Sequence, residues 1–228
     1  MSRVLITGAN KGVGFQLTKQ YSEAGDEVLA CCRNPAGATA LKALPGKITV
    51  LQLDVGKADS IAALKSKLGD SPIDILINNA GIVGPAPNRQ SATDMDYDGW
   101  METFNINTMA PMRMVQMFRG NLAKGTNARV ATITSQMGAL DLNWPVVYAY
   151  CASKAAVNKV MRMLSVDLAK DNIALRLLHP GHVKTDMGGP DAEITAEESA
   201  AGIIKVVAET NASNTGTFLK WNGQTHNW

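Results

Sequence analysis

Thr7-Gly8-Ala9-Asn10-Lys11-Gly12-Val13-Gly14, directly behind Arg3-Val4-Leu5-Ile6, is the stretch that decides the fold. A short apolar run, a glycine turn and an amphipathic stretch to about Ala24 read as strand, turn and helix. Glycine in such a turn permits a tight bend, lets the backbone approach a pyrophosphate closely, and leaves room for the helix against the strand. The helix N-terminus then presents free N–H groups to the anion. The spacing is GxxxGxG, not the commoner GxGxxG. It marks Gly8, Asn10, Lys11, Gly12, Val13 and Gly14 as candidate phosphate contacts.

Further apolar or β-branched runs follow at Glu27 to Cys32, Lys47 to Leu53, Ile73 to Asn78, Ala128 to Thr134, Ala174 to His179 and Gly216 to Leu219. Helices are expected between them, at Ala58 to Leu68, Met95 to Leu122, Tyr148 to Lys170 and Ala196 to Glu209. Near-continuous apolar strands such as Ile73-Asp74-Ile75-Leu76-Ile77 are expected to be covered on both faces. This alternation is that of an α/β Rossmann fold, a doubly wound seven-stranded parallel sheet with helices on both faces.

The 228 residues are 46% hydrophobic and 18% charged, enough for one well-buried core and short for two, so one domain is expected over residues 1–228. The 22 basic and 20 acidic residues are scattered without runs and leave a net charge of +2, with no footprint of a nucleic-acid or acidic-membrane partner. The apolar run at the N-terminus is too short for a signal peptide or a membrane span, so a cytoplasmic location is expected. Cys31 and Cys32 are adjacent, and neighbouring cysteines rarely bridge without strain. Reduced thiols fit that compartment, and no Cys/His spacing suggests a metal.

Cofactor choice in this architecture is made at the end of the second strand, where an acid holds a ribose 2′-hydroxyl and a base accommodates a 2′-phosphate. Here the sequence is Ala30-Cys31-Cys32-Arg33-Asn34. The acid is missing. Arg33 can meet a phosphate through its planar fork and Lys11 adds a second cation, so NADP(H) is favoured, with NAD(H) possible. The bland alternative is that both are solvated surface charges. Asp54-Val55 and Asn78-Asn79-Ala80-Gly81 end the third and fourth strands, on the edge of a parallel sheet where ligands bind. Asp54 can accept from an adenine amino group, and the Asn79-Ala80-Gly81 turn can lie against the adenosine ribose or merely cap its strand. Asn107 falls inside a helical stretch, where asparagine is disfavoured; it suggests a kink with a polar task, or simply faces solvent.

Tyr150 and Lys154 are four apart and share one face of a helix. A free phenol has a pKa near ~10, and a cation held close favours the phenolate, which turns the pair into a general acid/base. Ser135, at the end of the fifth strand, can hydrogen-bond a carbonyl oxygen beside that phenol. No GxSxG elbow is present, which argues against a serine hydrolase. The bland reading of Tyr150 and Lys154 is a surface lysine lying over a packed ring.

With the glycine turn, Asp54, Asn78-Asn79-Ala80-Gly81, Asn107, Ser135 and Tyr150-xxx-Lys154 in this order, the chain resembles the short-chain dehydrogenase/reductase family over practically its whole length. Within it, Leu178 to Pro190, Glu197-Glu198-Ser199 and the ending Gly223 to Trp228 resemble the C-factor-like and sniffer-like carbonyl reductases. The resemblance implies a tetrad. Tyr150 transfers the proton, Lys154 lowers its pKa and holds the nicotinamide ribose, Ser135 orients the carbonyl, and Asn107 keeps a water in a relay. It also implies cofactor contacts from Tyr150, Lys154, Val55, Val183, and a Pro180-Gly181 turn and Thr185 at the nicotinamide carboxamide. Ser135 and Tyr150 are further apart than in many members, with extra residues around Trp144-Pro145. Tyr148 lies at the more usual interval, but four residues after it comes Ala152. His182 replaces a common aromatic and either lines the substrate pocket or sits on an exposed loop.

The expected activity is reversible hydride transfer between NADPH and a small-molecule carbonyl compound. Rival readings are a C-factor-type signalling or scaffold protein with incidental catalysis, and an epimerase or dehydratase. Gln136, Met137, Leu140, Trp144, Val147 and Met187 are candidate pocket residues or ordinary core. Assembly as a homodimer or homotetramer is expected from the same resemblance.

Overall fold

The computed structural model describes all residues, Met1–Trp228. In chain order the elements are β1 (Arg3–Thr7), α1 (Gly12–Glu23), β2 (Glu27–Cys32), α2 (Thr39–Lys42), β3 (Ile48–Gln52), α3 (Ala58–Leu68), β4 (Ile75–Asn78), α4 (Tyr97–Phe104), α5 (Ala110–Ala123), β5 (Arg129–Ile133), α6 (Tyr148–Leu168), β6 (Ala174–His179), β7 (Val183–Lys184), β8 (Ile194–Thr195), α7 (Ala196–Ala208) and β9 (Thr217–Lys220). Seven strands form one sheet in the order β3-β2-β1-β4-β5-β6-β9, every neighbouring pair parallel. The α/β, doubly wound seven-stranded parallel sheet expected from the sequence is the observed one.

Period-two alternation splits each strand between two cores. Leu5, Leu29, Leu51, Leu76, Val130 and Leu177 point to one face, where Ile61, Leu64, Phe118, Val157 and Met161 of α3, α5 and α6 cover them. Val4, Ile6, Val28, Ile77, Ala131 and Leu178 point to the other, against Leu17 of α1, Leu41 of α2 and Ile203 and Val206 of α7. The adjacent Cys31 and Cys32 fall on opposite faces and are unpaired.

Two expected boundaries shift. The fourth strand begins at Ile75; ahead of it the Ile73 N–H turns away from the sheet to the Asn121 carbonyl of α5 at 3.1 Å, and the Asp74 carboxylate accepts the N–H groups of Arg3 at 2.7 Å and Thr126 at 2.6 Å. The long helix expected from Met95 to Leu122 is three pieces, with a π turn at Asn105–Met109 between α4 and α5. Pro111 has no N–H to give to the carbonyl four residues back, which is that of Asn107, so regular α-helical bonding cannot run through this point. A short parallel pair, β7 with β8, was not foreseen.

The strand order reverses between β1 and β4, which places a ligand crevice at their carboxyl ends. Gly8 and Gly12 there have φ of 66° and 52°, a left-handed conformation that costs glycine nothing. Gly14 is required for a different reason: a Cβ on it would collide with the Gly8 carbonyl and the Asn79 amide. Gly14→Ala is therefore expected to cost about 1–3 kcal/mol of stability through overpacking; chemical denaturation with an unchanged midpoint would contradict the packing described.

Candidate active site

Several elements bring the polar residues together. β1 and β4 are stitched at their ends by Asn79, whose amide donates to the carbonyls of Thr7 at 2.9 Å and Gly8 at 3.1 Å. Thr7 Oγ1 in turn accepts the N–H groups of Asn79 and Ala80, both at 3.0 Å. The Asn79 side chain is thus turned into the glycine turn. α1 opens on Lys11, which supplies no side-chain cap, and its leading N–H groups stay available to an anion.

Lys11 reaches across to Asp186 at 3.0 Å, both exposed, so it ties the glycine turn to the loop behind β7. Thr185 lies against Gly12 on the same side. Arg33 is exposed just past β2 and has no carboxylate partner. Asp54 accepts from the Gly56 N–H at 3.1 Å, and Val55 is buried beneath it. Asn10 is exposed, and Val13, Ala80, Gly81, Pro180 and Gly181 are half-buried around the same edge, with Val183 buried.

Asn107 is 1% exposed, which removes the solvent-facing alternative. Its Oδ1 accepts the Ile82 N–H at 2.9 Å, and its Nδ2 donates to the Ile82 carbonyl at 2.8 Å and to Ser153 Oγ at 3.0 Å. The π turn thereby holds the segment after Gly81 against α6. A Cβ on Gly81 would stand 3.2 Å from Asn107 Oδ1 and 3.6 Å from Lys154 Nζ, so the turn, the amide and the ammonium share one small space.

Lys154 is 5% exposed; its Nζ donates to the Ile133 carbonyl at 3.0 Å and lies 5.6 Å from the centroid of the Tyr150 ring. The two side chains lie together, and the bland reading of a surface lysine is excluded. Burial lowers the Lys154 ammonium from 10.5 to about 8. Burial also pushes the Tyr150 phenol above its ordinary value, while the Ser135 hydroxyl beside it works in the opposite direction and favours the phenolate. The sequence leads one to expect the ammonium to set the phenol's acidity; in the folded chain desolvation is the largest influence on both groups. Tyr148, the alternative donor, is 37% exposed.

Three supporting residues escaped the sequence reading. Ser153 joins Asn107 to the Tyr150 carbonyl, to which its hydroxyl donates at 2.7 Å. Buried Asn158 accepts from Thr134 Oγ1 at 2.7 Å, next to Ser135. His179 Nδ1 accepts the Gln136 N–H at 3.2 Å; burial, then neighbouring His226, Lys220 and His182, lower it to about 4 and keep it a neutral acceptor. Polar residues in the middle of apolar helix and strand patterns were the available signal. His182 is exposed and bonded to the Gly188 carbonyl at 2.8 Å. Leu140, Trp144 and Met187 are exposed, not core, at 80%, 57% and 51%.

The family model described as short chain dehydrogenase matches residues 2–195. The chain belongs to this family. It is 39% identical to the C-signal protein of Myxococcus xanthus over 73% of this chain and 99% of that one. It is 33% identical to 1-hydroxy-2-glutathionyl-2-methyl-3-butene dehydrogenase of a Rhodococcus species, over 97% of this chain and all of that protein. Solved structures superpose closely. The NADPH-bound carbonyl reductase from chicken fatty liver gives a TM-score of 0.91 at 30% identity, covering 100% of this chain and 99% of that one. The carbonyl reductase Sniffer of D. melanogaster gives 0.91 at 29%, covering both chains fully. The resemblance to sniffer-like and C-factor-like members is borne out. No helix is long and apolar enough to cross a membrane.

The buried ammonium has a measurable consequence. Between about pH 8 and 10.5 the folded chain holds fewer protons at Lys154 than the unfolded chain, so this side chain's contribution to stability rises with pH across that window. Below about pH 8 the full cost of burying the charge is present. Lys154→Met is expected to gain about 1–3 kcal/mol at neutral pH, with the gain shrinking across that alkaline window. Paired denaturation curves at pH 7 and pH 10 check this, and a gain that does not shrink would contradict it.

Proposed function

We propose that the chain is an NADP(H)-dependent oxidoreductase that reversibly reduces the carbonyl of a ketone, aldehyde or quinone to an alcohol, with one domain over residues 1–228 and Tyr150 as general acid/base. The observation that carries this reading is the meeting of the Ser135 hydroxyl, the Tyr150 phenol and the buried Lys154 ammonium beside Gly81. The likeness to an NADPH-bound carbonyl reductase supports it.

The fit to NADP(H) rests on the uncapped N-terminus of α1, the left-handed Gly8 and Gly12, and the exposed Arg33, which has no competing carboxylate. Phosphates take the turn at Gly8, Asn10, Lys11, Gly12, Val13 and Gly14, and Arg33 meets the 2′-phosphate. Asp54, Val55, Asn79, Ala80 and Gly81 take the adenosine half, and Pro180, Gly181, Val183 and Thr185 the nicotinamide half. When bound, NADPH supplies the hydride. The chain handles the oxygen and its proton. Ser135 donates to the carbonyl oxygen, Tyr150 gives that oxygen its proton as it becomes an alkoxide, and Lys154 stabilises the phenolate left behind. Asn107 holds the π turn beside Lys154, where a relay water is kept.

The 39% identity to C-signal favours a second reading, a nucleotide-binding signalling protein with incidental catalysis. Incubation with NADPH and a panel of aldehydes, ketones and quinones separates the two, since absence of turnover on every member would favour the second. Cytoplasmic residence and homo-oligomeric assembly belong to the first proposal, the latter supported by Met117, Met163 and Val166, exposed on α5 and α6.

Tyr150→Phe keeps the ring and deletes the proton. Turnover is expected to fall by roughly 10²-fold or more with NADPH affinity retained; equal turnover would remove Tyr150 from its role. Arg33→Asp is expected to shift the ratio of kcat/KM values toward NADH, and an unmoved ratio would show that Arg33 does not read the 2′-phosphate.

A further inference from the structure

Helix α6 carries both Tyr150 and Lys154, and its first turn lacks the usual support. The leading N–H groups of a helix have no acceptor within it, and Ser, Thr, Asp or Asn normally caps them. Here the capping position is Val147, with φ of 40° and ψ of 55° and no side-chain bond to give. A β-branched residue seldom adopts that left-handed conformation. The acceptors come instead from Gln90, far away in sequence. Its backbone carbonyl accepts the Tyr148 N–H at 3.4 Å, and its side-chain Oε1 accepts those of Ala149 at 3.1 Å and Tyr150 at 3.3 Å.

The other end of the same amide is equally engaged. Nε2 donates to the carbonyls of Val83 at 3.3 Å and Pro85 at 2.5 Å, in the segment that follows Gly81. Two N–H donors on one side and two carbonyls on the other settle which amide atom is which. Gln90 is 1% exposed, so no water replaces these bonds readily. On its C-terminal side the Tyr150 backbone is held by Ser153 and through it by Asn107. On its N-terminal side the hold is Gln90. The preceding loop is bonded mainly to itself and to the chain end, through Val146 N–H to the Trp144 carbonyl and Leu140 N–H to the Trp228 carbonyl, both at 2.9 Å.

We propose that Gln90 is a positioning residue for Tyr150: by capping α6 from the segment after Gly81, it sets where the phenol stands relative to Ser135. The proposal rests on the reading of Tyr150 as the proton donor. A carboxyl side chain keeps the acceptor for the helix and loses at least one of the two donors, and an aliphatic side chain loses both.

Three measurements on Gln90→Leu and Gln90→Glu test it: NADPH affinity by fluorescence titration, kcat and KM on a carbonyl that the wild type reduces, and the pH titration of phenolate absorbance with the Tyr150→Phe protein subtracted. Gln90→Leu is expected to bind NADPH within about twofold of wild type and to lose about 10–100-fold in kcat with little change in KM. Its Tyr150 phenol is expected to ionise at higher pH, because a displaced ring takes the phenol away from the Ser135 hydroxyl. Gln90→Glu, which retains the acceptor for the helix, is expected to recover most of the lost kcat. Should Gln90→Leu fail to fold, Gln90→Met, closer in shape, carries the same comparison. Wild-type kcat and an unmoved phenol titration in the apolar variant would overturn the proposal. A glutamate variant as impaired as the leucine one would also overturn it, assigning Gln90 to bracing Val83 and Pro85 alone. A wild type that reduces no carbonyl, with a phenol titration that Gln90→Leu still moves, would sink the catalytic reading and leave the positioning intact.

Discussion

A lysine ammonium held out of water against the Ile133 carbonyl, with a tyrosine ring beside it, is the constraint around which this molecule is arranged. Removing a charge from water costs several kcal/mol unless something nearby compensates. The compensation here is sparse: one carbonyl at 3.0 Å and a ring face whose centroid is 5.6 Å away. Burial acts on both partners toward their neutral forms, and the Ser135 hydroxyl acts the other way on the phenol. The ammonium is thereby drawn down to about 8, while the phenol is held above its ordinary value with the Ser135 hydroxyl pulling against that rise.

Keeping such groups in register demands rigid surroundings, and the polar residues that look least useful provide them. Asn107 sits in the break of a helix and gives both amide N–H groups and one acceptor site to Ile82 and Ser153. Gly138 packs so closely on α6 that a Cβ would run into the Lys154 backbone. Asn79 is turned toward the carbonyls of the glycine turn. The α6 backbone around Tyr150 is therefore tied to the π turn, and the Lys154 ammonium ties the helix to β5. The large apolar side chains Leu140, Trp144 and Met187 stay exposed at the margin.

The seven strands and five long helical regions could be read locally because period-two and helical periodicities are written into neighbouring residues. The parallel order followed from the βαβ rhythm, since crossovers of that length leave few alternatives. The strand boundary that moved did so for a non-local reason, the Ile73 N–H going to Asn121 of α5, whereas the π turn has a local cause, the missing N–H of Pro111. Glycine spacing, an arginine after β2, and tyrosine and lysine one helical turn apart pointed to the candidate site for the same local reason.

What the sequence by itself determined, then, is the layered architecture, the crevice and the identity of its principal polar groups, because each is encoded over a few consecutive residues. Only the tertiary structure decided which tyrosine lies beside the buried lysine, that Lys11 meets Asp186, that His182 is exposed, and that α6 is capped by Gln90. Those outcomes depend on side chains tens of residues apart meeting in a desolvated space. Hydrogen bonding and burial there are properties of the packed chain, and no short window of sequence contains them.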